Sequence, residues 1–153
     1  MDVVTLSGAT GSFSKAGLAE GTNATTIKTA APNGAGIDFS IGGVAYHKAD
    51  TDNIAMTALS VQAVLTSCLY LVLLSAAGVL SIVKGKEELT ANVGVSASLQ
   101  WPGPGEDVCP IGGFRIDTNA SVPFTCGTTD LGASGITDTY YDFIAGMPNR
   151  PVV

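Results

Sequence analysis

The chain carries one histidine, His47, and three cysteines, Cys68, Cys109 and Cys126. A protein metal site needs several His, Cys or carboxylate ligands at workable spacing. Neither a second histidine nor a C-x-x-C pair is present. A Ser–His nucleophile pair would have to use His47, and Gly132-Ala133-Ser134-Gly135 misses the G-x-S-x-G elbow that would present such a serine. Gly34-Ala35-Gly36 lacks the third glycine of a dinucleotide loop. Asp50, Asp52 and Asn53 begin like a calcium loop, but the glycine and bidentate glutamate that must follow are missing. Glu87-Glu88 and Glu106-Asp107 lie among turn residues and read as solvated charge, not as a buried acid–base pair. The expectation is a chain with no catalytic residues, no metal ligands and no cofactor.

An odd number of cysteines is not a disulfide framework. They read as small buried hydrophobes, with a Cys109–Cys126 bridge between neighbouring strands as the alternative. The aromatic residues offer another kind of chemistry. Trp101 stands beside the Pro102-Gly103-Pro104-Gly105 loop, and Tyr140-Tyr141 puts one ring on each face of a strand. Such rings can stack on a sugar or a base, or lie at a core edge or subunit contact, where they are enriched.

Composition limits what must position these groups. The 153 residues include 7 basic and 13 acidic side chains, for a net charge of −6. One domain, or one domain with an arm, fits this length. Charged residues make up 13%, against about 25% in an ordinary soluble domain. Hydrophobic residues reach 46% but aromatics only 7%, and there are 19 glycines. Such a chain suits a surface covered by other subunits or by a membrane. The scattered basic residues form no phosphate-binding cluster, so nucleic acid is not an expected partner. The start, Met1-Asp2-Val3-Val4, has no basic and apolar leader pattern, so no secretory signal is expected.

Residues 1–36 are read as a small-residue N-terminal arm, since 22 of these 36 are Ala, Gly, Ser or Thr. Its larger apolar groups, among them Val3, Val4, Leu6 and Phe13, make it a candidate partner-binding segment. Residues 37–153 are read as the β-rich domain. Ile37 to Lys48 alternates around Gly42-Gly43, the pattern of a hairpin with a two-residue turn. Residues 54–65 suit either a short helix or a strand and loop.

From Ile54 to Val83 no residue is charged. The stretch 63–83 is long enough to cross a bilayer as a helix of ~20 residues, and Lys84 and Lys86 follow it. Ser75-Ala76-Ala77-Gly78 in its middle reads instead as a turn between two buried strands. Weak alternation predicts a strand over residues 89–101. Strands are also expected at residues 110–116, 121–125 and 136–144. Together these short strands predict a mainly β fold, a small sandwich or barrel.

Four stretches carry a resemblance: IGGVAYHKADTDNIAM, CLYLVLLSAAGVLSIVKG, CPIGGFRI and FTCGTTDLGASGITDTYYDF. Over about residues 37–144 the chain resembles small virion proteins of tailed bacteriophages, of the head decoration (cement) or head-fibre-like type. The resemblance covers turns and core, brings no catalytic residues, and does not extend to residues 1–36. It implies a non-enzymatic protein that bridges capsomers on the outer capsid surface after assembly in the host cytoplasm. The implied partners are the major capsid protein and further copies in a homotrimer, with no nucleic acid and no membrane. Under this reading Val3, Val4, Leu6 and Phe13 anchor the arm. Two other readings remain: a fibre or host-recognition module touching a glycan through Trp101, Tyr140 and Tyr141, and a single-pass membrane protein spanning residues 63–83.

Overall fold

A computed structural model describes residues 9–148. Eleven β-strands and one short 3-10 turn, Thr90–Asn92, make up the regular structure, and no α-helix forms among the described residues. The strands build three antiparallel sheets packed on a shared core, a small β sandwich with no closed barrel.

The first sheet is ordered β1 (Gly11–Ser12), β4 (Ile37–Ile41), β5 (Val44–Lys48). Gly42 and Gly43 both have positive φ, 57° and 85°, as a two-residue hairpin turn of matching twist requires. Ile37 and Phe39 face the core, and Phe39 stacks on Tyr46 with ring centroids 5.6 Å apart. The second sheet is ordered β2 (Leu18–Glu20), β3 (Thr26–Thr29), β6 (Thr51–Ala55).

The largest sheet is ordered β11 (Ile136–Asp142), β10 (Val108–Thr118), β7 (Thr66–Ser75), β8 (Leu80–Lys84), with β9 (Glu88–Leu89) also paired to β7. All of β7 except Ser75 is buried. Successive side chains of a strand point to opposite faces. Cys68, Tyr70, Val72 and Leu74 therefore enter the main core, while Leu71 and Leu73 lie under a second apolar layer with Phe143. A strand covered on both faces reads in sequence as one unbroken apolar run. That is why residues 63–83 look like a membrane span: they form a β hairpin instead. Gly78 closes its turn at φ 72°, donating its N–H to the Ser75 carbonyl at 2.9 Å. No helix of the described residues is long and apolar enough to cross a membrane.

Of the two forms open to residues 54–65, the strand and loop is taken: β6 ends at Ala55, and Gln62 then bridges to Phe124. Three expectations need correction. Residues 121–125 form no strand, and only Phe124 makes a bridge. Residues 89–101 do not form a strand beyond β9; they coil through the 3-10 turn and fold Leu99 inward. The break placed after residue 36 does not coincide with a break in packing. Gly11 pairs with Ser40, Ile27 pairs with Ile54, and Ala16, Leu18 and Ile27 are core residues. Small residues suffice there because the neighbouring strands approach closely and supply the bulk.

Candidate functional site

Val3, Val4 and Leu6 lie outside the described residues. Phe13 follows β1, and its N–H bonds the Asp38 carbonyl at 2.7 Å. The residue is 62% exposed. Ser12 turns inward with its register partner Phe39, so by strand alternation Phe13 shares the outer face with Asp38 and His47. His47 Nδ1 and Asp38 Oδ1 are 2.8 Å apart and both side chains are half exposed. The single histidine is thus a surface cross-strand pair.

Trp101 and Tyr141 are brought together; Tyr140 is not part of that group. The Trp101 ring meets Tyr141 and Phe143 edge-on at centroid distances of 5.7 Å and 5.0 Å. It lies over Gly113, where any Cβ would collide with it. Its Nε1 is buried without a hydrogen-bond partner. The ring is thus held on three sides and is partly buried. Tyr140 points to the opposite face of β11, 6.0 Å from the Phe114 ring. Burial raises its phenol pKa, with the Asp138 carboxylate adding to the shift. Asp138 is close enough for that, yet makes no hydrogen bond of ordinary geometry with the hydroxyl.

The remaining reactive residue types are committed to structure. All three cysteines are free and buried, so the bridge expected as an alternative between Cys109 and Cys126 does not form. Burial pushes the thiols of Cys68 and Cys126 up to about 12 and that of Cys109 up to about 11. Asp52 accepts bonds from the Thr22 hydroxyl at 2.5 Å and the Thr22 N–H at 3.0 Å. These bonds, the hydroxyl first, hold its carboxyl below the usual value. Asp50 accepts the Ala31 N–H at 2.9 Å. These acids staple the β2–β3 segment to the β5–β6 segment. No group of three or more His, Cys, Asp or Glu is placed to hold a metal among the described residues, and they enclose no pocket.

What the sequence did not signal is an apolar end of the sandwich. Nine large hydrophobic side chains are exposed among the described residues, and five of them, Val61, Val64, Leu65, Leu89 and Val95, belong to the segments gathered around the start of β7. The backbone there is tightly tied. The Leu65 N–H bonds the Asn119 carbonyl and the Leu65 carbonyl accepts the Thr90 N–H, each at 3.0 Å. Leu89 pairs with Thr66. These bonds hold Leu65 at φ +59°, a conformation that costs a bulky side chain on the order of 1–3 kcal/mol. Lys84 sits behind this end, with Nζ on the Ser60 carbonyl at 2.9 Å, the Val61 carbonyl at 3.0 Å and Glu87 at 2.5 Å. No local pattern marks the end, because the residues that build it come from the loop before β7, from β9 and from the loop after the 3-10 turn.

No family model, curated protein or solved structure matches the chain.

Proposed function

We propose that the chain is a non-enzymatic structural protein of a tailed-phage virion. In this reading it decorates the outer surface of the head and bridges neighbouring capsomers. Its partners are the major capsid protein and further copies of itself, assembled as a homotrimer in the host cytoplasm. The observation that supports it is the distribution of large apolar side chains. A sandwich whose buried polar groups are almost all paired still leaves Phe13, Ile144 and Val44 exposed toward one end and Val61, Leu65 and Leu89 toward the other. Large exposed apolar side chains in groups mark protein contacts. The resemblance of about residues 37–144 to head decoration proteins supplies the kind of contact.

Cementing needs no deep site. Packaged genome pushes capsomers apart, and several shallow contacts made by one oligomer resist that through avidity. The Phe13 face, with Asp38 and His47 beside it, is the surface assigned to the shell. Co-sedimentation with assembled heads of the phage that encodes the chain tests this. Wild-type chain is expected to pellet saturably with the heads, and Phe13→Ser to lose at least tenfold in affinity while keeping its fold. A wild-type chain left in the supernatant contradicts the reading.

A further inference from the structure

We infer that the end built from Val61, Val64, Leu65, Leu89 and Val95 is the surface through which copies of this chain associate with one another. The inference rests on the reading of the chain as a self-associating structural protein and names the surface that does it.

Two independent observations point there. The first is strain. Leu65 is held in the left-handed region, φ +59°, by hydrogen bonds on both its N–H and its carbonyl, yet its side chain is 53% exposed. A glycine or asparagine would satisfy that backbone without penalty. The isolated fold leaves about half of that leucine uncovered, and covering the rest would offset the strain.

The second is charge, and it selects the occupant. Three ion pairs surround this end: Lys84–Glu87, Lys86–Glu88 and Arg115–Asp117. Each cation is matched within the chain, so the end carries no net charge. The rest of the chain then holds four basic and ten acidic residues. Over the remainder, where acidic residues outnumber basic ones, two copies bring an excess of like charge toward each other. At this end they meet with none, and the apolar side chains can be buried without stranding a charge. A basic partner would be drawn to the acidic remainder, not here. A second copy is the partner that an apolar, internally neutralised surface on an acidic chain fits. In a homotrimer this end would lie at the three-fold axis, where the same side chains of all three copies can meet.

The test is the mass of the full-length chain by light scattering during size exclusion, over a range of concentrations. The wild type is expected at a whole multiple, greater than one, of 15.4 kDa. The double variant Leu65→Asn, Leu89→Thr is expected to raise the dissociation constant more than tenfold. Asparagine tolerates the left-handed backbone and threonine suits a strand, so its monomer should unfold at no lower temperature than the wild-type monomer. Val79→Thr, in the β7–β8 turn at the far end, should leave the mass unchanged. A wild type that stays at one chain mass overturns the inference, as does an oligomer that the double variant leaves intact. The measurement uses the chain alone. An oligomer that ignores phage heads therefore refutes decoration and leaves this surface standing, and a monomer that coats heads does the reverse.

Discussion

The indole of Trp101 occupies the space above Gly113 that any side chain at that position would need. One residue is the lid and the other is the flat place on which it rests. Between them they seal the second face of the central sheet, where Leu71, Leu73 and Phe143 are buried. Trp101 is therefore a packing residue of a two-sided core, and its fluorescence reports on that core.

Gly113→Ala should drive the indole off the sheet. The new methyl would meet both the ring and the Tyr70 carbonyl, so overpacking costs about 1–3 kcal/mol. Urea unfolding followed by tryptophan emission should show a lower midpoint and a red-shifted folded baseline. An unchanged baseline and midpoint would show that the lid is not seated as described.

Glu87 should contribute stability that disappears in acid. Burial of its carboxyl opposes ionisation, but the Lys84 ammonium, the Ala63 N–H and the Thr66 hydroxyl outweigh it and hold the pKa below the ordinary 4.5. A folded-state pKa below the unfolded one stabilises the fold above the unfolded value. That stability is lost as pH falls through the folded value. Glu87→Gln should flatten the acid limb of stability below the ordinary carboxylate value of 4.5. At neutral pH it should cost about 1–3 kcal/mol, because Lys84 loses its anionic partner. Equal acid slopes for variant and wild type would contradict the pairing.

The three thiols should be inert in the native chain. Each is buried with its pKa pushed up to about 11 or 12, and the thiolate is the reactive form. A disulfide-exchange reagent near pH 8 should label none of them at once and all three after denaturation. Rapid labelling of any one in the folded chain would contradict its placement.

Tyr70→Phe should destabilise without changing the fold. The Tyr70 hydroxyl donates to Gln62 Oε1 at 3.1 Å, while Gln62 Nε2 donates to the Thr66 and Ile116 carbonyls, each at 3.0 Å. Gln62 is fully buried. Removing the hydroxyl leaves its oxygen unsatisfied, at a cost of about 1–3 kcal/mol by thermal unfolding. A loss under about 0.5 kcal/mol would mean the bond carries little of the core's stability.

The parts of this fold that were legible in the sequence are those fixed by local pattern. Gly42-Gly43 between alternating residues defines the β4–β5 hairpin. Ser75 to Gly78 between two apolar runs defines the β7–β8 hairpin. What was not legible depends on distant partners. Thr26–Thr29 has no strong pattern of its own and becomes a strand by pairing with Leu18–Glu20 and with β6. Residues 90–99 alternate weakly but follow no partner strand, and burial of Leu99 decides their path. Of the proposed contact residues, Phe13 is exposed, whereas Trp101 and Tyr141 pack partly buried against the second apolar layer. Leu65 left no trace in sequence, because a positive φ at leucine is imposed by Asn119 and Thr90 from outside its own segment.

The central claim is that the chain stabilises a phage head by bridging its capsomers. Its most direct test is the temperature at which heads release their genome, read with a DNA-binding dye, with and without saturating chain. The account predicts a higher release temperature with the wild-type chain and a smaller rise with the Leu65→Asn, Leu89→Thr variant. A release temperature that saturating wild-type chain leaves unchanged would contradict it.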